Sequence, residues 1–319
     1  MILSTTAELK KYISIASSFQ FPDFEPYITK AVNSFTRKYV GNLHEELAQE
    51  ATGDNVAIKN QARQHLQNAI ANFGYFIYMP FASVMIDSSG LSVVANEQRK
   101  SAEWWQLKDI RRELLRSGHE AMDLLLEVLE ANPTVFTTWT TNFGITNKEL
   151  LVYNTETFNK YYHIFNSRQT FIALVPSIRQ VEDQYLQTML CPELITALKG
   201  APTSNVLAVK IAMQKAIVAF TVAKVANAGL FTLDENGLRV NFETLIDGRK
   251  ESASYGTPSD QLMNLVNEQI NNGTQYLNLA KQFIEANPSN FTMCDLPLLQ
   301  SATTGSGYEP YNTKGVFSI

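Results

Sequence analysis

One stretch of this chain occurs twice, and the recurrence limits the fold more than any single motif does. Residues 82–94, Ala-Ser-Val-Met-Ile-Asp-Ser-Ser-Gly-Leu-Ser-Val-Val, return at 229–241 as Gly-Leu-Phe-Thr-Leu-Asp-Glu-Asn-Gly-Leu-Arg-Val-Asn. In each copy apolar residues lead into Asp-x-x-Gly, and alternation resumes with Leu91 and Val93 or with Leu238 and Val240. Asp can bond the backbone that follows it and Gly tolerates positive φ, so both stretches predict a β-hairpin. Further matches flank them. Pro26 and Ile28 recur as Pro176 and Ile178, and Asn55-Val56 as Asn205-Val206, each 150 residues on. Ala69-Ile70 and Gly90-Leu91 recur 147 residues on; Gly118, Glu130-Ala131-Asn132-Pro133 and Phe136 recur 155 on. Matches in one order at slowly changing shifts predict a tandem duplication of a unit of about 140 residues, too few copies for a solenoid.

The expected fold is mainly α (α+β), each copy carrying one hairpin. Thr5-Thr6-Ala7-Glu8 has the form of a capping box and predicts a helix through Leu9, Tyr12 and Ile13. The prolines of Phe21-Pro22-Asp23-Phe24-Glu25-Pro26 break and restart the helix, and Tyr27, Ile28, Ala31, Val32, Phe35 and Tyr39 then give one apolar face that stops at Gly41. A long helix runs from Val56 to about Tyr78, where Pro80 ends it. Another runs from near Glu97 to Ala131, with Trp105, Ile110, Leu114, Ala121, Met122, Leu125 and Leu129 on one stripe. The organisation is a first repeat over 1–145, a second over 146–296 with an inserted loop at 247–256, and an extended arm over 297–319.

A net charge of −5 and a pI near 5.5 exclude bulk nucleic-acid binding, which needs a basic face. Residues 1–20 carry Glu8, Lys10 and Lys11 and contain no apolar run of the length a bilayer requires, so no membrane association is expected. Cys191 and Cys294 make no disulfide framework and are expected as reduced, buried residues.

Catalytic motifs are missing. No phosphate-binding loop, dinucleotide fingerprint or nucleophile elbow is present, and His44, His65, His119 and His163 lack metal-ligand spacing, so neither cofactor nor metal is expected. Turn chemistry accounts for Asp87 and Asp234. The basic stripe of Lys108, Arg111, Arg112 and Arg116 interleaves with Glu103, Asp109 and Glu113, which favours a salt-bridged exposed face over an acidic partner's binding site. Trp104 and Trp105 point about 100° apart on a helix, so one can enter the core while the other is an interface anchor. The candidate contact residues are Trp104, Arg111 and Arg112 on the long helix, Arg249, Lys250 and Tyr255 in or beside the inserted loop, and Tyr308, Tyr311 and Phe317 in the arm.

Thr5-Thr6-Ala7-Glu8-Leu9-Lys10-Lys11-Tyr12-Ile13, Phe24-Glu25-Pro26-Tyr27-Ile28 and Tyr39-Val40-Gly41, with the hairpin, the aromatic-rich long helix and Glu-Ala-Asn-Pro, resemble an uncharacterised family encoded in Bacteroidetes phages and prophages. Its members lie among virion structural genes near the major capsid protein. The resemblance implies a non-enzymatic head-completion or head-to-tail connector protein of the neck. Implied with it are a homo-oligomeric ring of twelve subunits, contacts with portal, tail or neck proteins, incidental contact with packaged DNA, and residence at the virion's portal vertex after assembly in the host cytoplasm. It carries over no catalytic residues. The alternatives are a capsid decoration or internal scaffold protein, or an intracellular enzyme with its site between the repeats.

Overall fold

A computed structural model describes residues 2–16, 18–49, 51–82, 84–87, 90–93, 103–144, 149–200, 202–226, 231–234, 237–240, 259–294 and 298. The chain is mainly helical and divides into two compact units, which meet in sequence between Thr146 and Asn147.

In unit 1, α1 (Thr6–Leu9) is followed by α2 (Phe21–Ala31), a π-helical turn (Val32–Thr36) and α3 (Arg37–Val40). Then come α4 (Leu43–Ala48), the long α5 (Val56–Ala82), an antiparallel pair β1 (Val84–Asp87) and β2 (Gly90–Val93), α6 (Trp104–Ala131) and α7 (Thr137–Trp139). Unit 2 runs through the same kinds of element. It has α8 (Thr155–Asn159), α9 (Arg168–Val181), a π-helical turn (Glu182–Leu186), α10 (Gln187–Met189), α11 (Pro192–Lys199) and α12 (Ser204–Val225). The pair β3 (Phe231–Asp234) and β4 (Gly237–Val240) and the helix α13 (Ser259–Ala286) complete it. Asp87 faces Gly90 across one pair and Asp234 faces Gly237 across the other. β4 is anchored to its unit: Leu238 is fully buried and donates its N–H to the His163 carbonyl at 3.0 Å. A Cβ on Gly237, at φ +141°, would run into that carbonyl.

Several local expectations need correction. α1 stops at Leu9, and turn bonds from Tyr12 and Ile13 to the Leu9 carbonyl replace the expected continuation. Thr5 Oγ1 does cap the Glu8 N–H, at 3.2 Å, but the Glu8 carboxylate reaches back to Ser4 N, at 2.8 Å, one residue earlier than a capping box requires. Pro22 sits in the first turn of α2 and Pro26 inside it, so the helix is not broken there. α5 continues two residues past Pro80, because only the bond that the Pro80 nitrogen would have made is lost in the final turn. The Asn55-Val56 match is not in the spatial register of the helices, where Gln67 and Phe73 of α5 correspond to Gln214 and Phe220 of α12, 147 residues apart.

That correspondence rests on a shared core device. Phe35, in the first π-helical turn, stacks on Phe73 at 4.3 Å with the rings 8° apart; Tyr185, in the second, stacks on Phe220 at 4.1 Å and 6°. Behind each ring lies a helical glycine. A Cβ on Gly118 would stand 2.6 Å from Phe73 Cε1, and one on Gly273 would stand 2.7 Å from Phe220 Cε1. The π-helical turns, closed by Arg37 N–H to Val32 O and Gln187 N–H to Glu182 O, hold one extra residue and so rotate the aromatic toward the long helix. Buried glutamines tie the start of each unit to the same helices. Gln67 Nε2 donates to Ile2 O at 2.8 Å and Gln214 Nε2 to Leu151 O at 3.0 Å, while Tyr12 and Tyr161 donate to the two amide oxygens.

The units differ in how the segment after their last long helix is fastened. In unit 1 the Trp139 indole donates to Tyr39 O at 3.0 Å. In unit 2 the corresponding link is a disulfide, Cys191–Cys294, whose Cα atoms are 5.7 Å apart. The expectation of two reduced cysteines is therefore overturned: folding brings together residues that lie 103 positions apart in sequence. α12 is long and apolar enough to cross a membrane, with mean hydropathy 1.7, yet two thirds of that stretch is buried inside unit 2. It is apolar on all sides because it is the central helix of that core.

Gly118→Ala and Gly273→Ala are expected to destabilise their own units by about 1–3 kcal/mol, as overpacking does. Urea unfolding followed by unit-specific probes checks this. Cys294→Ser is expected to remove about 4 kcal/mol from unit 2, the order for a closed loop near 100 residues, and to leave unit 1 unchanged.

Candidate interaction site

Unit 1 carries an open groove of about 520 Å³ between the π-bearing helix and α4. Ile2, Ile28, Val32 and Ala48 make its apolar part, and Thr29, Asn33, His44, Glu45 and Gln49 make its polar rim. The π-helical turn begins at Val32, which sets that short side chain against the groove. His44 is oriented by a 2.9 Å bond between Nδ1 and Gly41 O, and its Nε2 lies 3.9 Å from the exposed carboxylate of Glu45. Gly41, at φ +56°, turns the chain from α3 into α4, and a Cβ there would stand 3.0 Å from the Phe143 ring.

The corresponding place in unit 2 is filled from within. Glu182 opens that unit's π-helical turn as Val32 opens the first, and its side chain is almost fully buried. Oε1 accepts from Leu151 N at 2.5 Å and from Val152 N at 3.4 Å, while Oε2 lies 3.4 Å from Lys199 Nζ. Lys199 ends α11 where Ala48 ends α4. Burial outweighs these favourable contacts and raises the Glu182 pKa above its ordinary value. Sequence reading passed over this residue, although a glutamate standing where unit 1 has the apolar Val32 was a usable signal.

The residues singled out from sequence do not converge. Trp105, assigned to the core stripe, is 62% exposed, and Ile110 on the same stripe is 46% exposed, whereas Leu114, Ala121, Met122, Leu125 and Leu129 are buried as expected. Trp105 and Ile110 both stand in the first two turns of α6, near the end of α5. Trp104 opens α6, and its side chain is outside the described residues. Arg111 lies over the Phe76 ring at 5.2 Å with its Nε buried and without a hydrogen-bond partner. Arg112 is exposed. Arg116 pairs with Glu113 and Glu120, each at 2.6 Å, in a solvent-facing network. Arg249, Lys250, Tyr255, Tyr308, Tyr311 and Phe317 lie outside the described residues. Among the described residues, no group of three or more His, Cys, Asp or Glu could hold a metal ion.

The antiparallel register of α5 and α6, in which Phe73 meets Gly118 and Phe76 meets Arg111, sets Phe81 level with the first turns of α6. Phe81 is 44% exposed. Its neighbour Tyr27, 5.7 Å away, begins a chain of aromatic contacts through Tyr78, Tyr75, Phe24 and Phe19. Burial raises the pKa of Tyr75 and Tyr78, so both hydroxyls are neutral over the physiological range. This end of unit 1 thus offers clustered aromatic rings, with Lys30 5.0 Å from the Tyr27 ring and Asp23 close enough to act on Tyr78.

Residues 28–149 and 183–295 match a family of unknown function, DUF6712. The chain belongs to this family. No curated protein and no solved structure matches it. The two matched stretches of the DUF6712 chain each contain a long helix, a hairpin and a second long helix of 28 residues.

A carboxyl whose folded pKa is raised holds its proton longer in the native state than in the unfolded chain. Glu182 therefore favours folding most below its ordinary value near 4.5, and unit 2 loses that contribution as pH rises through the raised value. Glu182→Gln is expected to flatten the fall in unit 2 stability with rising pH. Urea midpoints measured from pH 4 upward check the slope.

Proposed function

We propose that the DUF6712 chain is a structural virion protein of a tailed phage, a head-to-tail connector of the neck that assembles as a ring between portal and tail. The observation that carries this reading is the exposed apolar end of unit 1, where Phe81, Trp105 and Ile110 stand uncovered at the ends of α5 and α6. Rings and aliphatic side chains of this size at helix ends suit burial against a protein neighbour, and Trp is among the residues that anchor such contacts. The family resemblance of the opening segments supplies the phage setting and the ring of twelve.

In the same reading the chain arose by tandem duplication. The recurrence of the π-helical turn, the stacked rings, the helical glycine and the buried glutamine in both units supports that origin. Two fused copies differ from single-unit adaptors, and the fusion lets one unit specialise for the ring wall while the other meets a different neighbour.

Native mass spectrometry of the purified chain, alone and with the portal, tests the assembly. A ring is expected, and Trp105→Ala with Ile110→Glu is expected to shift the population to monomer without changing helical content. A chain that stays monomeric in both conditions, or virions that lack it, would overturn the proposal.

A further inference from the structure

One junction is closed by different chemistry in the two units. Trp139 and Cys294 stand at equivalent places after the last long helix, 155 residues apart, and Gly41 and Cys191 at equivalent places before α4 and α11, 150 residues apart. In unit 1 the Trp139 ring is buried and its indole donates to Tyr39 O, so packing and one hydrogen bond hold the junction. In unit 2 a bond between two sulfurs holds it. Little else fastens that stretch. After α13 the N–H groups of Asn290, Phe291 and Cys294 make turn bonds to carbonyls three residues back. Phe291 is fully buried and Leu298 nearly so, but Thr292 and Met293 are exposed. Cys294 as a free thiol buries far less apolar surface than an indole ring does. Cys191 is half-buried, so a small thiol can reach its sulfur.

We propose that Cys191–Cys294 is a redox-operated clasp on unit 2, closed in oxidising surroundings and open where a thiol reductant is present. A thiolate of the reductant attacks Cys191 Sγ and forms a mixed disulfide, and Cys294 leaves as a thiolate. A second reductant thiolate attacks the reductant's own sulfur in the mixed disulfide and frees Cys191. Two electrons pass from two reductant thiols, which end as their own disulfide, and the two protein thiolates take up the protons those thiols release. Oxidised glutathione runs the exchange backwards. With the clasp open, residues 290–294 are held by Phe291 and short turn bonds and open locally, and the residues that follow lose their covalent anchor. Unit 1 holds no cysteine and keeps its junction shut in either condition.

The test is amide hydrogen exchange of the full chain, read by mass spectrometry after oxidised glutathione and after dithiothreitol, with free thiols counted in denaturant for each sample. On labelling for seconds to minutes, peptides covering 290–294 are expected to exchange about tenfold faster after reduction. Those covering α12, which exchange only when the unit unfolds, stay protected in that window, and those covering Thr137–Trp139 keep their rate. The fast exchange is expected to be insensitive to low urea, because a local opening exposes little surface. The Cys191→Ser, Cys294→Ser variant is expected to show the fast rate with or without dithiothreitol; if it does not fold, the wild-type comparison, which needs no substitution, decides. A disulfide that acts only by restricting the unfolded chain would speed 290–294 in step with α12, at a rate that climbs with urea. That result, unchanged exchange on reduction, or two free thiols in the oxidised sample would overturn the proposal.

Discussion

Each unit depends on an aromatic ring held between two surfaces that leave it no freedom: a second ring on one side and the bare backbone of a helix on the other. Phe73 lies between Phe35 and Gly118, and Phe220 between Tyr185 and Gly273. Glycine costs about 1 kcal/mol in a helix interior relative to alanine. It is kept there because the close approach lets the two long helices of each unit meet across a flat ring, and stacked pairs of this kind add about 0.5–1.5 kcal/mol beyond the area they bury. The π-helical turn follows from the same requirement. A continuous α-helix would carry Phe35 or Tyr185 past the ring, and the extra residue turns the side chain back toward it.

Much of this was legible in the sequence. The apolar periodicity of α6 picked out Leu114, Ala121, Met122, Leu125 and Leu129, and the recurring Gly118 and Gly273 were visible as a match inside the long helices. What periodicity could not show was where a stripe comes to the surface: Trp105 and Ile110 continue the pattern of α6 into turns where their side chains are exposed. The π-helical turns were hidden because spacings of three and four read through them without a visible break. Pro26 and Pro80 misled for a related reason, since a proline removes one bond and a helix with good packing tolerates that loss.

The candidate site was less legible, because its key features are contrasts between the two units. Glu182 read alone is one more acidic residue in a polar stretch. Set against Val32 it becomes a buried plug whose oxygens meet two backbone amides and a lysine. In the same way Cys191 and Cys294 are unremarkable until Trp139 is seen reaching back to Tyr39 in the other unit. Two units that share a core device allow one to be set beside the other, and the differences at matched positions stand out.

The disulfide makes one of those differences topological. Joining residue 191 to residue 294 turns α11, α12, the second hairpin and α13 into a covalently closed circuit. A single backbone cut anywhere within that circuit opens the ring but leaves both pieces bonded to each other. Unit 1 holds no cysteine, so an equivalent cut leaves two pieces joined by packing and hydrogen bonds such as that of Trp139, with no covalent link between them. Unit 2 is thus the half of the molecule that can be nicked and still remain one covalent body.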